Sequence, residues 1–513
     1  EQRRVLAFLA QPRQAGADSA LRRYAEERLP EYMRPLHYRE LARMPWTANG
    51  KVDRRALLAI PLALAPQRER VVPSDPLENR LLTLWSELLE LPEGDISIDD
   101  SFFNLGGHSI LLSRLLLALH EQFGRGISIN RFIEVPTVQR LAQLLKGDDA
   151  AAGAIHPQAL ADAEREPGLS VLPAEHLGDV RNVIVTGANS FLGVHIVEAL
   201  LATGAREVAC LVRRGRGLSA QERFARAVAE NRIAGLDWQR VRVLEADLRE
   251  PRLGLCEADY NDLDRRYGAV IHNAAQVNHV LDYPALAVDN VEPLFACLRL
   301  CEGQTKKILS FISTLSACSV RDEQGRVLEQ PAATSPPLYI RNGYNLSKWV
   351  AERILERARQ QGVWVNLMRP GNITFDSRSG VCQPHKNRLM LMLKGSLQLG
   401  QVPALDLHFD LMPVDFLARF IAFHAGRYDP ARAVFNLHNP QPLRWERYIA
   451  SFRECGRAFE LVGVEQWQRQ LQGVDRNNAL FEVVGFYLSG FEEDIGDISH
   501  IDHANASDGV QRM

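Results

Sequence analysis

The chain has 513 residues, 46% hydrophobic and 24% charged, with a formal net charge of −3. That length is too great for one ordinary core and predicts three or four globular domains. The near-neutral charge offers no field for nucleic acid or an acidic membrane surface, so neither is expected as a partner. No run of about 18 uncharged apolar residues occurs, and no membrane span is expected. The apolar runs Leu111–Leu119 and Leu389–Leu399 contain Arg114 and Lys394 and read as core helices. The chain opens on Glu1 with no signal-peptide pattern, so it is expected to be a piece of a longer cytoplasmic protein. Its seven cysteines are odd in number, lack a CxxC spacing and begin at Cys210. Reduced thiols fit that pattern, a disulfide framework or zinc site does not, and no metal is expected.

From the N-terminus, residues 28–57 contain a turn signal at Ala48-Asn49-Gly50, followed by Lys51. Read alone, Lys51 is a solvated hairpin lysine. Residues 61–74 are rich in Pro, Ala and Arg and read as a linker. Asp75-Pro76-Leu77-Glu78 then predicts a helix start, with an N-cap acid, Pro at the first helical position and a second acid three residues after the cap. Leu77, Leu81, Leu84, Trp85, Leu88 and Leu89 continue it as a helical apolar stripe. Helical pattern fills 75–147. Residues 148–172 lack periodicity and predict a flexible linker, about 25–30 Å in r.m.s. span. From 173 onward strands alternate with helices: Val183–Val185, Val208–Val212, Val241–Leu244, Val270–His272, Ile308–Ile312 and Val365–Met368. That alternation predicts an α/β doubly wound parallel sheet. The region from about Ser377 is expected to form a smaller, mainly helical part.

Three groups of residues carry chemistry. Gly106-Gly107 make a turn before Ser109, which stands where a helix begins. Unpaired N–H groups and the dipole there suit a phosphate ester, although a simple helix cap would use the same residue. Val183 to Gly193 read as strand, glycine turn and helix start. Gly187 allows the turn, Asn189, Ser190, Phe191 and Leu192 form the loop and helix entry, and Gly193 allows close helix packing, aiming the helix at a pyrophosphate. The next strand ends in Arg213-Arg214 in place of an acid. Two guanidinium groups suit a 2′-phosphate and leave no carboxylate to repel it, which favours NADPH over NADH; Arg223 is a further candidate ligand. Tyr344 and Lys348, at i and i+4, share a helix face, where an ammonium lowers the tyrosine pKa and fits it for proton transfer.

Several of these strings resemble known families. The NGKxDR signature around Lys51 resembles the end of the small C-terminal subdomain of adenylate-forming domains. That resemblance implies a small α+β remnant over 1–60, in which Lys51 approaches an acyl-adenylate; the large ATP-binding portion is absent. The run DDSFFNLGGHSI resembles the signature of peptidyl carrier domains, implying a four-helix bundle over 75–147. Ser109 would bear a covalent 4′-phosphopantetheine arm attached by a phosphopantetheinyl transferase, framed by Asp100, Phe103, Leu105, Gly106, Gly107 and His108. The glycine loop, FISTLSA and Tyr344–Lys348 resemble extended short-chain dehydrogenases, with Ser190 where that family usually has a glycine. By that match Asp247-Leu248 and Asn273-Ala274-Ala275 form the adenine- and nicotinamide-side loops. Thr314 hydrogen-bonds the carbonyl oxygen, with Ser313 and Ser316 as alternates, Tyr344 supplies the proton, and Lys348 tunes Tyr344 and holds the nicotinamide ribose. HNAAQVNHVLDY, RPGNI and LKGSLQLGQVP resemble the thioester reductases of nonribosomal peptide synthetases, carboxylic acid reductases and aminoadipate reductases, implying a reductase over 173–513.

The resemblances imply reductive release of an acyl or peptidyl thioester delivered by the chain's own carrier and upstream synthetase modules. The product would be an aldehyde, or an alcohol after a second hydride. Two alternatives stand beside this: a non-redox cyclising release domain or scaffold on the same fold, and an NAD-dependent sugar-nucleotide epimerase or dehydratase.

Overall fold

The computed structural model describes residues 6–9, 37–41, 44–45, 52–53, 56–57, 70–103, 105–107, 109–123, 127, 129–147, 155–215, 217–278, 281–338, 341–383, 387–471, 473–475, 477–487 and 500–513. Lys51 and His108 lie outside the described residues. Near the N-terminus, β1 (Leu6–Leu9) pairs in parallel with β2 (His37–Glu40).

The carrier segment folds as helices α1 (Pro76–Leu89), α2 (Ser109–Phe123), α3 (Ile129–Glu134) and α4 (Val138–Lys146). The expected helix start is present. The Asp75 side chain accepts from the Leu77 and Glu78 amides at 2.8 and 3.0 Å, and Glu78 accepts from the Ser74 amide at 2.6 Å. Trp85, Phe102 and Phe132 meet edge to face in the core, the first two with centroids 5.0 Å apart. Gly107 lies against this cluster, where a Cβ would fall 2.3 Å from the Phe102 ring, so the turn entering α2 tolerates no side chain there.

The segment expected as a flexible linker is partly a docked helix, α5 (Pro157–Ala163). Ala159 and Ala163 are buried, Tyr283 Oη donates to Asp162 at 2.7 Å, and Arg357 Nη1 donates to the Ala163 carbonyl at 2.5 Å. The chain stays attached as far as Leu172, whose carbonyl accepts from Lys306 Nζ at 3.0 Å. Short alanines supply a flat packing face but no strong apolar periodicity, which is why composition alone read as linker.

The α/β domain contains β3 (Asn182–Thr186), α6 (Phe191–Ala202), β4 (Glu207–Val212), α7 (Ala220–Glu230), β5 (Val241–Glu245), α8 (Glu257–Arg266), β6 (Ala269–His272), α9 (Tyr283–Asn290), α10 (Glu292–Cys301), β7 (Ile308–Ile312), α11 (Gly343–Gln360) and β8 (Val365–Pro370). With β11 (Val434–Leu437), the strands form a parallel seven-stranded sheet in the order β11-β8-β7-β6-β3-β4-β5. Their continuous apolar runs reflect burial on both faces. Strand order reverses between β3 and β6, and the crevice outside their carboxyl ends is the favoured ligand position of such sheets.

The remaining elements are α12 (Arg388–Leu399), β9 (Gln401–Pro403), β10 (His408–Phe409), α13 (Val414–Ala425), β12 (Leu443–Arg444), α14 (Trp445–Glu454), β13 (Glu460–Val462), α15 (Val464–Leu471), α16 (Val484–Tyr487) and α17 (Ala504–Arg512). The smaller part is built around buried Trp445 and Trp467, which donate to the Pro403 carbonyl at 2.7 Å and to Ser396 Oγ at 3.1 Å. Contrary to expectation, the chain after Ser377 does not all belong to it. Helix α13 packs on α6, β11 completes the main sheet and α17 packs on β11. Carrier helix α2 rests against α16 of the smaller part. Among the described residues no helix is long and apolar enough to cross a membrane.

Candidate cofactor and catalytic site

The two loops at the reversal point are stitched together. Gly187 has φ 62°, and a Cβ on it would stand 2.8 Å from Ala274 Cα, so only glycine suits both its conformation and its neighbour. Asn273 Nδ2 donates to the Gly187 carbonyl at 3.1 Å and to Ser190 Oγ at 3.0 Å. Ser190 accepts from the Gly193 amide at 3.0 Å and caps α6. The serine that departs from the usual glycine is therefore used locally, and α6 still opens towards the crevice. Thr186 Oγ1 accepts the Asn273 and Ala274 amides at 3.1 Å each and lies 3.0 Å from His272 Nδ1. Burial pulls His272 down to about 3, so it is neutral. Thr186 and His272 were not expected from the sequence; their only signal is polarity at the ends of two apolar strands. This tight cradle at a helix N-terminus fits the pyrophosphate of a dinucleotide.

At the far end of β4, Arg213 and Arg214 are exposed. Pairing of β4 with β5 brings Val212 opposite Glu245, and Arg214 Nε meets the Glu245 carboxylate at 2.9 Å. The expectation of no nearby carboxylate thus fails, because the acid comes from the neighbouring strand, remote in sequence. Arg223 folds back to donate to the Arg213 carbonyl. Asp247 is pushed up by burial but held below the ordinary carboxylate range overall by Arg249, whose Nε and Nη2 donate to it at 3.1 Å. Leu248 beside it is half-buried.

Helix α11 starts at an Asn342 cap, whose side chain accepts from the Asn345 amide at 2.9 Å. Tyr344, Lys348 and Glu352 follow on one face at successive turns. Lys348 is 3% exposed, and its Nζ donates to the Ile312 carbonyl at 2.7 Å, above the Phe311 ring. Burial pulls it down to about 8, opposed by the Glu352 charge. Burial pushes the half-buried Tyr344 phenol up to about 12. The expected lowering of the tyrosine by the ammonium is not realised here, since desolvation of the phenolate outweighs it. Thr314, at the carboxyl end of β7, is half-buried and accepts from the Ser316 amide at 3.3 Å. Ser313 is buried and donates inward to Glu352 Oε1 at 2.5 Å, so its hydroxyl is not available to a substrate.

Ser109 heads α2 in the carrier. The carrier also reaches the segment preceding α11, where Glu134 Oε1 accepts the Arg341 amide at 3.2 Å and is pushed up by burial. All seven cysteines are free thiols, and among the described residues no cluster could hold a metal ion.

Two stretches of the chain match known families. Residues 79–145 match the phosphopantetheine attachment site family, and residues 185–421 match an NAD-binding family described as male sterility protein. A linear gramicidin synthase of Brevibacillus parabrevis is 30% identical over 90% of this chain, and isonitrile lipopeptide synthase of Streptomyces coeruleorubidus is 31% identical over 96%. The chain spans only 9% and 34% of those two proteins. The L-2-aminoadipate reductase large subunit of Eremothecium gossypii is 27% identical over 91% of the chain, which spans 37% of it. Among solved structures, the terminal R domain of the myxalamid pathway is 26% identical with a TM-score of 0.56, covering 69% of this chain and 91% of that one. A thiolation-reductase di-domain of an archaeal non-ribosomal peptide synthetase, 22% identical with a TM-score of 0.64, covers 87% of this chain and 94% of that one and shares its fold. The chain thus joins a region that matches the phosphopantetheine attachment site family to one that matches the NAD-binding family described as male sterility protein, and it is similar over about nine-tenths of its length to segments of peptide synthetases and L-2-aminoadipate reductases.

Proposed function

We propose that this chain reduces an acyl or peptidyl thioester carried on its own Ser109 arm, using NADPH, to release an aldehyde and free the carrier thiol. The observation that carries the reading is the grouping of Thr314, Tyr344 and Lys348 beside the stitched Gly187–Asn273 cradle, in one chain with a phosphopantetheine attachment domain. When bound, the reduced nicotinamide supplies hydride to the thioester carbonyl carbon. Thr314 and Tyr344 hydroxyls would then receive the developing negative oxygen, and Tyr344, still protonated at neutral pH, would donate its proton to give a thiohemiacetal, whose C–S bond breaks as the hydroxyl proton passes to sulfur, leaving the aldehyde and the free carrier thiol. Lys348 offsets the charge left on Tyr344 and, with Asn273-Ala274-Ala275, borders the nicotinamide side. Gly187 to Gly193 hold the pyrophosphate, Asp247-Leu248 border the adenine, and Arg213, with Arg214 and Arg223 near it, faces the 2′-phosphate.

The arm on Ser109 would be installed by a phosphopantetheinyl transferase and loaded by upstream synthetase modules in the cytoplasm. Tethering raises the effective substrate concentration to roughly the mM range, so intrinsic affinity for the acyl group need not be high. Lys51 belongs to the adenylation-type remnant and has no part in this step.

Phosphopantetheinylated full chain, loaded with a hexanoyl group, is expected to consume NADPH and yield hexanal by mass spectrometry. Ser109→Ala should abolish labelling and tethered turnover. Tyr344→Phe should cut the rate by about 10²–10⁴; an unchanged rate would contradict the redox reading and favour a non-redox release domain.

A further inference from the structure

Behind the proposed catalytic group lies a buried ion pair that the mechanism above does not use. Glu352 and Arg369 are 0% and 1% exposed. Arg369 Nε and Nη2 donate to the two Glu352 oxygens at 2.9 and 2.5 Å, and Glu352 Oε1 also accepts Ser313 Oγ at 2.5 Å. Arg369 Nη1 reaches Asn436 Oδ1 on β11 at 3.4 Å. Burying two charges costs several kcal/mol, and an apolar pair of similar volume would pack this layer at least as well. Stability alone therefore gives a weak reason for the pair to be there.

Its placement gives a stronger one. Glu352 follows Lys348 by one helical turn and Tyr344 by two. Its acceptor contact falls on Ser313, the residue between Ile312 and Thr314. The Ile312 carbonyl accepts the Lys348 ammonium at 2.7 Å, and the Thr314 hydroxyl accepts the Ser316 amide at 3.3 Å. One carboxylate thus grips the strand end that touches two of the three proposed catalytic side chains. We infer that Glu352 is a positioning residue for the reduction: through Ser313 it fixes the Ile312–Thr314 backbone, and with it the Ile312 carbonyl that holds Lys348, against α11. The inference rests on the reading given under the proposed function.

The charged and titratable groups around Lys348 are consistent with that role. Tyr344 and Glu352 flank it on α11, and neutral His272 faces it from β6. Arg369 from β8 is covered by Glu352, with Cys318 and Glu329 further along. Burial disfavours the ammonium, and the Glu352 charge opposes that penalty.

The test reads Lys348 directly in the full chain, with no nucleotide present. Competitive acetylation with acetic anhydride across about pH 6 to 10, quantified at Lys348 by mass spectrometry, follows its titration, whose midpoint is expected at about 8 in the unaltered chain. In Glu352→Gln the midpoint should fall by about one pH unit or more, a roughly tenfold loss of ammonium relative to amine. An unmoved midpoint in a folded variant overturns the assignment. If that variant does not fold because Arg369 is left unpaired, Glu352→Gln with Arg369→Met removes both charges together; a smaller fall in the same direction is expected, since the repelling Arg369 charge goes too, and a midpoint that does not fall overturns the assignment. Ser313→Ala keeps both charges, so it should leave the midpoint in place while lowering turnover of hexanoyl-pantetheine with NADPH by roughly tenfold. Unchanged turnover would remove the strand-holding role. If the unaltered chain consumed no NADPH with this thioester, the reduction itself would fail, while the labelling result would still decide the Glu352 effect on Lys348.

Discussion

Arg214 and Glu245 form an exposed ion pair, 2.9 Å from Nε to Oε2, across the carboxyl ends of β4 and β5. The pair gives Arg214 a carboxylate partner at close range, whereas the Arg213 charge acts on Asp247 without a direct ion pair among the described contacts. Arg213→Ala is therefore expected to raise the KM for NADPH by about tenfold or more while leaving that for NADH nearly unchanged, as for loss of a charge-assisted bond to phosphate. Arg214→Ala should have the smaller effect. Glu245→Gln frees Arg214 and should lower the KM for NADPH. Steady-state kinetics with both nucleotides checks all three, and equal effects on NADPH and NADH would remove the case for a 2′-phosphate site here.

The pH dependence follows from Lys348. Its ammonium persists below about 8 and is lost above it, so turnover should decline as pH rises through that value. Tyr344, pushed up to about 12, stays a proton donor throughout, and His272, at about 3, stays neutral. Stability should respond with the opposite sign. The folded-state value lies below the ordinary 10.5, so the unfolded chain binds more protons between the two. This group's contribution to stability is then present above about 10.5 and lost as pH falls through about 8. A rate that falls above about pH 8 without a parallel fall in Tm separates Lys348 titration from alkaline unfolding.

Gly187→Ala should disable the cofactor cradle. The residue has φ 62°, and the added Cβ would meet Ala274 at 2.8 Å. Left-handed backbone costs a non-glycine residue roughly 1–2 kcal/mol before any clash. NADPH affinity, followed by nucleotide fluorescence, should weaken by at least tenfold. Labelling of Ser109 by a phosphopantetheinyl transferase should be unaffected, because the carrier has its own core around Trp85 and Phe102.

Docking of α5 also has a measurable consequence. Ala159 is fully buried where α5 packs against α9 and α11, and a charge there has no partner to offset desolvation. Ala159→Glu in the full chain should release the helix and open residues 155–172 to limited proteolysis. The unaltered chain should resist cleavage there, since Arg357, Tyr283 and Lys306 all hold that segment. Equal cleavage of the two chains would show that the dock is weak.

Much of the architecture was legible because it is written in local pattern. Asp75, Pro76 and Glu78 announced a helix, and that helix begins there. Six apolar runs announced six strands, each present in the sheet. The seventh, Val434–Leu437, was missed because four residues between two turns carry no periodicity. In the candidate site, the glycine loop and the Tyr344–Lys348 spacing were visible because backbone conformation and helical geometry constrain residues close in sequence.

What remained hidden depends on residues far apart in the chain. Local pattern was enough for the order of carrier and reductase, the doubly wound sheet, and the residue types offered at the glycine loop, at Ser109 and on the Tyr344 helix. It took the folded arrangement to reveal that Glu245 shields Arg214, that Ser313 turns inward to Glu352 and Arg369, that Thr186 and His272 support the Asn273 loop, and that α5 belongs to the reductase body. Propensity and periodicity act over a few residues, whereas desolvation and ion pairing depend on which strands become neighbours. At Lys348 and Tyr344 burial, set by which strands and helices pack around them, outweighs the spacing between the two residues in setting the charge state of the proposed catalytic pair.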